Sequence, residues 1–127
     1  MITFNFGLHN LQNDTDSERQ YVEELTNITA ELAKRNATTK LLYVLTTPQM
    51  LDYRQGNFAV EDHNAQAREI MKQYNVPVLD MYKVVTDHCG KVYTDCDWCL
   101  KSPCQFHYQA AGYQALAAAL KDAIRNL

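Results

Sequence analysis

The sequence predicts an α/β fold in which a parallel sheet carries helices on both faces. Three observations carry that reading: β-favouring apolar runs at 2–6 and 41–45, helix-period apolar stripes between and after them, and a regular alternation of the two. Strands that alternate with helices are joined by right-handed crossovers, which build parallel sheets.

Taken in order, Ile2 to Phe6 reads as a short buried strand that stops at Gly7. A helix follows, opened by Thr15-Asp16-Ser17-Glu18, where a hydroxyl precedes a carboxylate by three positions, and faced by Tyr21, Leu25, Ile28 and Leu32. Leu41-Leu42-Tyr43-Val44-Leu45 is a continuous apolar run closed by Thr46-Thr47-Pro48, the pattern of a strand buried on both sides. Val60, Ala67, Ile70, Met71 and Tyr74 form the looser stripe of a second helix. Val76-Pro77-Val78-Leu79, closed by Asp80, is a third strand, and Pro77 marks it as a bulge or an edge because it has no N–H to donate. A cysteine-rich loop leads to the last helix, where Tyr113, Leu116, Leu120, Ile124 and Leu127 share one face of an alanine-rich segment. No repeat, low-complexity tract or linker divides residues 1–127, so they read as one domain.

The bulk numbers agree with this. Of 127 residues, 46% are apolar, 10% aromatic and 21% charged, the balance of an ordinary soluble domain rather than a disordered or fibrous chain. A whole fold of this length buries about two thirds of its unfolded surface. A net charge of -3 supplies no basic field for nucleic acid or an anionic membrane surface. No apolar run approaches the roughly 20 residues of a membrane span, and the first residues lack the pattern of a signal peptide.

Cys89, Cys96, Cys99 and Cys104 are all the cysteines of the chain and fall in one short segment. Three chemistries fit such a cluster: two disulfides stapling a loop, a four-thiolate zinc site, or a redox pair at Cys96-Asp97-Trp98-Cys99. Spacing favours disulfides, because zinc ribbons use two CxxC knuckles and only one is present, and because this CxxC sits among turn residues rather than between a strand and a helix. Three N-glycosylation sequons, at Asn13, Asn27 and Asn36, point the same way, toward a secreted or extracellular protein.

In a parallel α/β sheet the ligand lies beyond the carboxyl ends of the strands. Here that means Gly7-Leu8-His9-Asn10, Thr46-Thr47-Pro48, Asp80-Met81-Tyr82 and the loop leading to His107. His107 stands just before the last helix, and an imidazole with an ordinary pKa near 6.5 can take and return a proton at neutral pH. The plainer role is a helix-start histidine bonded to backbone. Asp80 reads as a turn or helix cap, His63 and His88 as solvated, Trp98 as a cover for the loop, and Tyr108 and Tyr113 as packing between the last helix and the sheet.

The order Asn5-Phe6-Gly7-Leu8-His9-Asn10, Thr46-Thr47-Pro48, Val78-Leu79-Asp80-Met81-Tyr82 and His107-Tyr108 with Gly112-Tyr113 resembles the SGNH or GDSL hydrolase superfamily. The cysteine-rich loop before His107 resembles that of its secreted animal members. The resemblance implies a flavodoxin-like, three-layer fold with a five-stranded parallel sheet, and hydrolysis or transfer of acyl groups on a small-molecule, glycan or lipid ester, with no metal or organic cofactor. It implies that His107 is the base of a Ser/His mechanism. It sets Gly7, His9 and Asn10 at the family's Gly-x-Asn-Asp block, His9 replacing the oxyanion asparagine and Asn10 the aspartate, so a ring nitrogen of His9 would be the surviving donor. Cys104 replaces the aspartate of the Asp-x-x-His block, so the base would work in a dyad or take Asp95 or Asp97.

The family's Gly-Asp-Ser block has no counterpart, and the serines present, Ser17 and Ser102, lack the strand-to-helix setting of a nucleophile. Residues 1–127 are therefore expected to be the C-terminal part of one SGNH-type domain, incomplete for want of the first strands. The strand at 2–6 should then be a bare apolar edge, and the isolated chain marginal. The alternative is a catalytically inactive SGNH-like module that binds glycan or protein, motivated by the replacements at His9, Asn10 and Cys104. A small cytosolic flavodoxin-like domain with a zinc-bound loop is a third reading.

Overall fold

The computed structural model describes residues 1–7, 15–35, 38–49, 56–91 and 95–127. Its elements run β1 (Ile2–Phe4), α1 (Thr15–Arg35), β2 (Leu41–Val44), α2 (Gly56–Gln73), β3 (Val78–Leu79), α3 (Met81–Cys89) and α4 (Ala110–Arg125). The strands form a parallel sheet in the order β1-β2-β3, with Ile2 opposite Leu41 and Tyr43 opposite Val78. Two right-handed crossovers that step the same way across a sheet lie on one face of it, which puts α1 and α2 together.

The core follows the alternation of side chains along a strand. Leu41, Tyr43 and Leu45 point to one face and pack with Tyr21 and Leu25 of α1 and Ala67, Ile70 and Met71 of α2. Leu42 points to the other face and is 2% exposed, so that face is covered as well. A second apolar cluster gathers Val85 of α3 with Cys99, Cys104 and Tyr108, and Trp98 and Leu116 of α4 pack at its margin. The C-terminus is tied back to the sheet, where Lys40 Nζ donates to the Leu127 carbonyl at 2.7 Å.

Several elements differ from the sequence expectation for local reasons. The first strand ends at Phe4 rather than Phe6, because Asn5 and Phe6 turn to side chains and loop backbone: Asn5 Nδ2 donates to the Val44 carbonyl at 2.7 Å, and the Phe6 N–H donates to the Tyr43 hydroxyl at 3.4 Å. β3 shrinks to two residues at the margin of the described sheet, and the Pro77 carbonyl still accepts from the Tyr43 N–H at 3.0 Å. The helix α3 has no counterpart in the sequence expectation. Its apolar signal is a single pair, Met81 and Val85, one turn apart, and its start is capped by Asp80, whose Oδ1 accepts from the Lys83 N–H at 2.9 Å. Tyr113 is 51% exposed and meets the buried Tyr108 edge-on instead of packing on the sheet.

Candidate active site

The carboxyl ends of β1 and β2 are locked together by polar groups that leave the ladder. The Tyr43 hydroxyl donates to the Phe6 carbonyl at 2.9 Å and accepts from the Phe6 N–H. Its one proton being spent there, Tyr43 can only accept at the 3.3 Å contact with the Tyr21 hydroxyl, whose own proton faces both this oxygen and the Phe6 carbonyl, also at 3.3 Å. Burial pushes both phenols above the ordinary tyrosine range, and their mutual proximity adds to the shift of Tyr21. Both therefore remain neutral hydrogen-bonding groups at physiological pH.

Thr46, just after β2, is the centre of this corner. Its N–H donates to Asn64 Oδ1 at 2.9 Å, and Asn64 Nδ2 returns a bond to the Thr46 carbonyl at 2.8 Å. Its hydroxyl accepts from Asn5 Nδ2 at 3.1 Å. Gly7 lies against the same hydroxyl, with φ +145°, and a Cβ there would sit 2.9 Å from Thr46 Oγ1. The chain at Gly7 can approach this closely and take this conformation because glycine has no Cβ.

His63 completes the corner from α2. It is 4% exposed, not solvated as its polar neighbours suggested, and its ring stacks on Tyr21 with centroids 4.3 Å apart and planes 9° apart. Desolvation by burial lowers its pKa below 6.5, opposed by the charges of Glu18 and Asp62 and by a hydrogen bond with the Gly7 backbone. Neutral imidazole is thus the form that fits. His63 and Asn64 were missed from sequence, yet the signal is there: with Val60, Ala67, Ile70 and Met71 they fall on one i, i+3, i+4 stripe, and polar residues on a buried stripe must find buried partners.

His107 sits at a different structural joint. The Cys99–Cys104 disulfide and an antiparallel bridge between Cys99 and Tyr108 fold the segment back on itself, and the Leu100 N–H donates to the His107 carbonyl at 3.0 Å. The Gln109 N–H donates to the Trp98 carbonyl at 2.9 Å, which sets the start of α4. The His107 side chain is exposed and lies 4.7 Å, centroid to centroid, from the Phe106 ring. Among the described residues, no hydrogen bond or ion pair joins it to Asp95, Asp97 or the Gly7 corner. Asp97 is paired instead with His88, Oδ1 to Nε2 at 2.6 Å, and Asp95 Oδ1 accepts from Ser102 Oγ at 3.4 Å. Ser102 Oγ is thus bonded to a carboxylate, and among the described residues no hydrogen bond joins it to a histidine. Cys104, 0% exposed and disulfide-bonded, cannot orient an imidazole.

The cysteines pair as Cys89–Cys96 and Cys99–Cys104, and none is free. The pairing closes the loop in two short rings and carries Trp98 between them, where it covers the loop. His88 stacks flat on Trp98, centroids 4.0 Å apart. Asn27 is on the exposed side of α1, and Thr29 of its sequon is buried, with its hydroxyl donating to the Leu25 carbonyl at 2.7 Å. His9, Asn10, Asn13 and Asn36 lie outside the described residues.

The described residues form a parallel α/β sheet flanked by helices, with a loop-borne histidine ahead of the last helix, an architecture that many functions share. The family is decided by the sequence match: the model of the GDSL-like lipase/acylhydrolase family matches residues 1–115, and the chain belongs to that family. Solved structures agree on the fold. The chain is similar to a lipase/acylhydrolase from Enterococcus faecalis, with 18% identity, a TM-score of 0.72, and coverage of 98% of this chain and 60% of that one. It is similar to a GDSL-like lipase from Bacteroides thetaiotaomicron, with 20% identity, a TM-score of 0.69, and coverage of 99% and 62%. An alpha/beta hydrolase enzyme from the metagenome of Lake Arreo, Spain, aligns at 11% identity with a TM-score of 0.73, covering 95% and 57%. The chain thus spans about three fifths of the length of these structures. No curated protein matches it. No described helix is long and apolar enough to cross a membrane.

Proposed function

We propose that residues 1–127 supply the histidine-bearing, C-terminal part of a secreted GDSL-type domain that hydrolyses or transfers carboxylic-ester acyl groups on a small-molecule, glycan or lipid ester. The observation that carries the proposal is His107: an exposed imidazole on a stapled joint immediately before the last helix, in a chain of this family. His107 takes the proton of a serine that comes from outside these residues, and returns it to the leaving group. The oxyanion role is assigned to Gly7, His9 and Asn10 on the resemblance of this stretch of sequence to the family's Gly-x-Asn-Asp block. With Asp95 bonded to Ser102 and Asp97 to His88, the base works as a dyad. Two disulfides suit an oxidising compartment.

The test is labelling by a fluorophosphonate together with turnover of p-nitrophenyl esters, on the 127-residue chain and on a longer gene product that contains it. The short chain is expected to be neither labelled nor active. The longer product is expected to be labelled, and His107→Ala in it to lower kcat/KM by about 10³-fold or more. Full turnover in the His107→Ala protein removes His107 as the base. A longer product that binds glycan or protein but is not labelled favours the inactive binding module, the reading that the replacements at His9, Asn10 and Cys104 support.

A further inference from the structure

Among the described residues, a cluster of metal-ligating side chains is joined by no side-chain hydrogen bond to the Gly7 corner or to His107. His88 Nε2 lies 2.6 Å from Asp97 Oδ1, and that oxygen lies 3.8 Å from Cys96 Sγ. These donor atoms fall within 4.8 Å of one another. Cys89 Sγ is bonded to Cys96 Sγ and lies at the edge of this group rather than within it. Two dipeptides, His88-Cys89 and Cys96-Asp97, thus bring three candidate ligands together and tether a fourth beside them. We infer that His88, Cys89, Cys96 and Asp97 form a redox-gated site for a zinc-class divalent cation, closed while the Cys89–Cys96 disulfide is intact and opened by its reduction.

A disulfide sulfur has neither the proton to bond Asp97 nor the thiolate charge to hold a metal, so the oxidised loop offers at most His88 and Asp97. A phosphine reductant breaks the S–S bond with two electrons; it takes up the oxygen of one water as phosphine oxide, and the two protons of that water leave two thiols. Metal binding then releases a proton from each thiol to solvent. The result is a set of two thiolates, one imidazole and one carboxylate, whose sulfur and nitrogen donors select zinc over hard cations. Tetrahedral coordination at ordinary zinc distances spaces the donors about 3.4–3.8 Å apart. The Cys96–Asp97 separation already meets that, and His88 must draw back from Asp97 by about 1 Å. The stack on Trp98 fixes the plane of the His88 ring. Selective opening is built in, because Cys99 and Cys104 are 8% and 0% exposed while Cys89 and Cys96 are half-buried at the rim, and accessible disulfides are reduced first.

The experiment is limited phosphine reduction of the 127-residue chain, with alkylation mapping of a portion to establish that Cys89 and Cys96 are open and Cys99–Cys104 closed, then titration with cobalt(II). One cobalt per chain is expected, with thiolate-to-cobalt charge-transfer absorption and the intense visible bands of a tetrahedral ion, displaced by zinc. The oxidised chain should show neither. His88→Ala and Asp97→Asn should each weaken cobalt binding at least tenfold. If reduction loosens the loop, zinc should raise the melting temperature of the reduced chain and leave that of the oxidised chain unchanged. Cobalt spectra that survive both substitutions, or a reduced chain with neither a cobalt spectrum nor a zinc-dependent shift in melting temperature, would overturn the inference.

Discussion

Gly7 is the residue on which the corner beyond β1 and β2 turns. Its φ of +145° is one that L side chains rarely adopt, and the space a Cβ would need is occupied by Thr46 Oγ1 at 2.9 Å. Gly7→Ala is expected to cost about 1–3 kcal/mol of stability, measured by denaturant unfolding. An alanine variant as stable as the parent would show that the segment does not hold this conformation. His63, against the same backbone, makes stability depend on pH. Its folded pKa lies below the unfolded 6.5, so the unfolded chain binds the proton first. The contribution is fully present above pH 6.5 and is lost as pH falls through the lowered folded value. Thermal melts between pH 7.5 and 5 should fall in midpoint on acidification, and His63→Gln should flatten that fall. An unchanged slope in His63→Gln would assign the pH dependence elsewhere. The histidines also mark the limit of sequence reading at this scale: the position of His107 just before α4 was legible from the strong helix that follows it, whereas the burial of His63 depends on α2 presenting that stripe to Tyr21, a tertiary fact.

At the scale of elements, continuous apolar runs and long stripes were legible, and features made by side-chain capture were not. β2 follows from an uninterrupted run that no helix of ordinary length could use, and α4 from a five-residue stripe. The early end of β1 is set by Asn5 and Tyr43, 38 positions apart in sequence, and α3 by one cap and two apolar residues. The cysteine pairing was open because four cysteines within 16 residues allow three connectivities, and only the fold of the loop on α3 and α4 selects one. Gly112 measures how closely that loop is seated. In a helix, glycine to alanine ordinarily gains up to about 1 kcal/mol. Here the new Cβ would lie 2.9 Å from Tyr108 Cβ, 3.1 Å from Trp98 Cβ and 3.1 Å from the Trp98 carbonyl oxygen, none of them the end of a flexible chain. Overpacking of about 1–3 kcal/mol should therefore outweigh the helix gain, and Gly112→Ala should lower the melting temperature by several degrees. A rise instead would mean that the loop yields freely from α4.

For the whole molecule, the free margin of β1 and the adjoining face of α1 govern behaviour in solution. Among the described residues β1 pairs with β2 alone, so one side of its backbone is unpaired. Phe6 and Ile28 are 41% and 37% exposed, and a shallow groove along α1 is lined by Asn27, Ile28, Glu31, Leu32 and Arg35. Sheet margins and contiguous apolar surface of this kind are where chains associate. Surface of this extent beside a sheet of three short strands among the described residues leaves little net stability, because the entropy of ordering the chain is offset by a small core. The 127-residue chain should accordingly sediment as a concentration-dependent mixture and unfold over a broad thermal range. Ile28→Glu, which sets a charge between Glu24 and Glu31 on this face, should shift it toward monomer without sharpening the melt. A monomer that unfolds sharply, reversibly and independently of concentration would show instead that the three-stranded sheet and its helices suffice as a folding unit, and that the exposed face of α1 needs no cover.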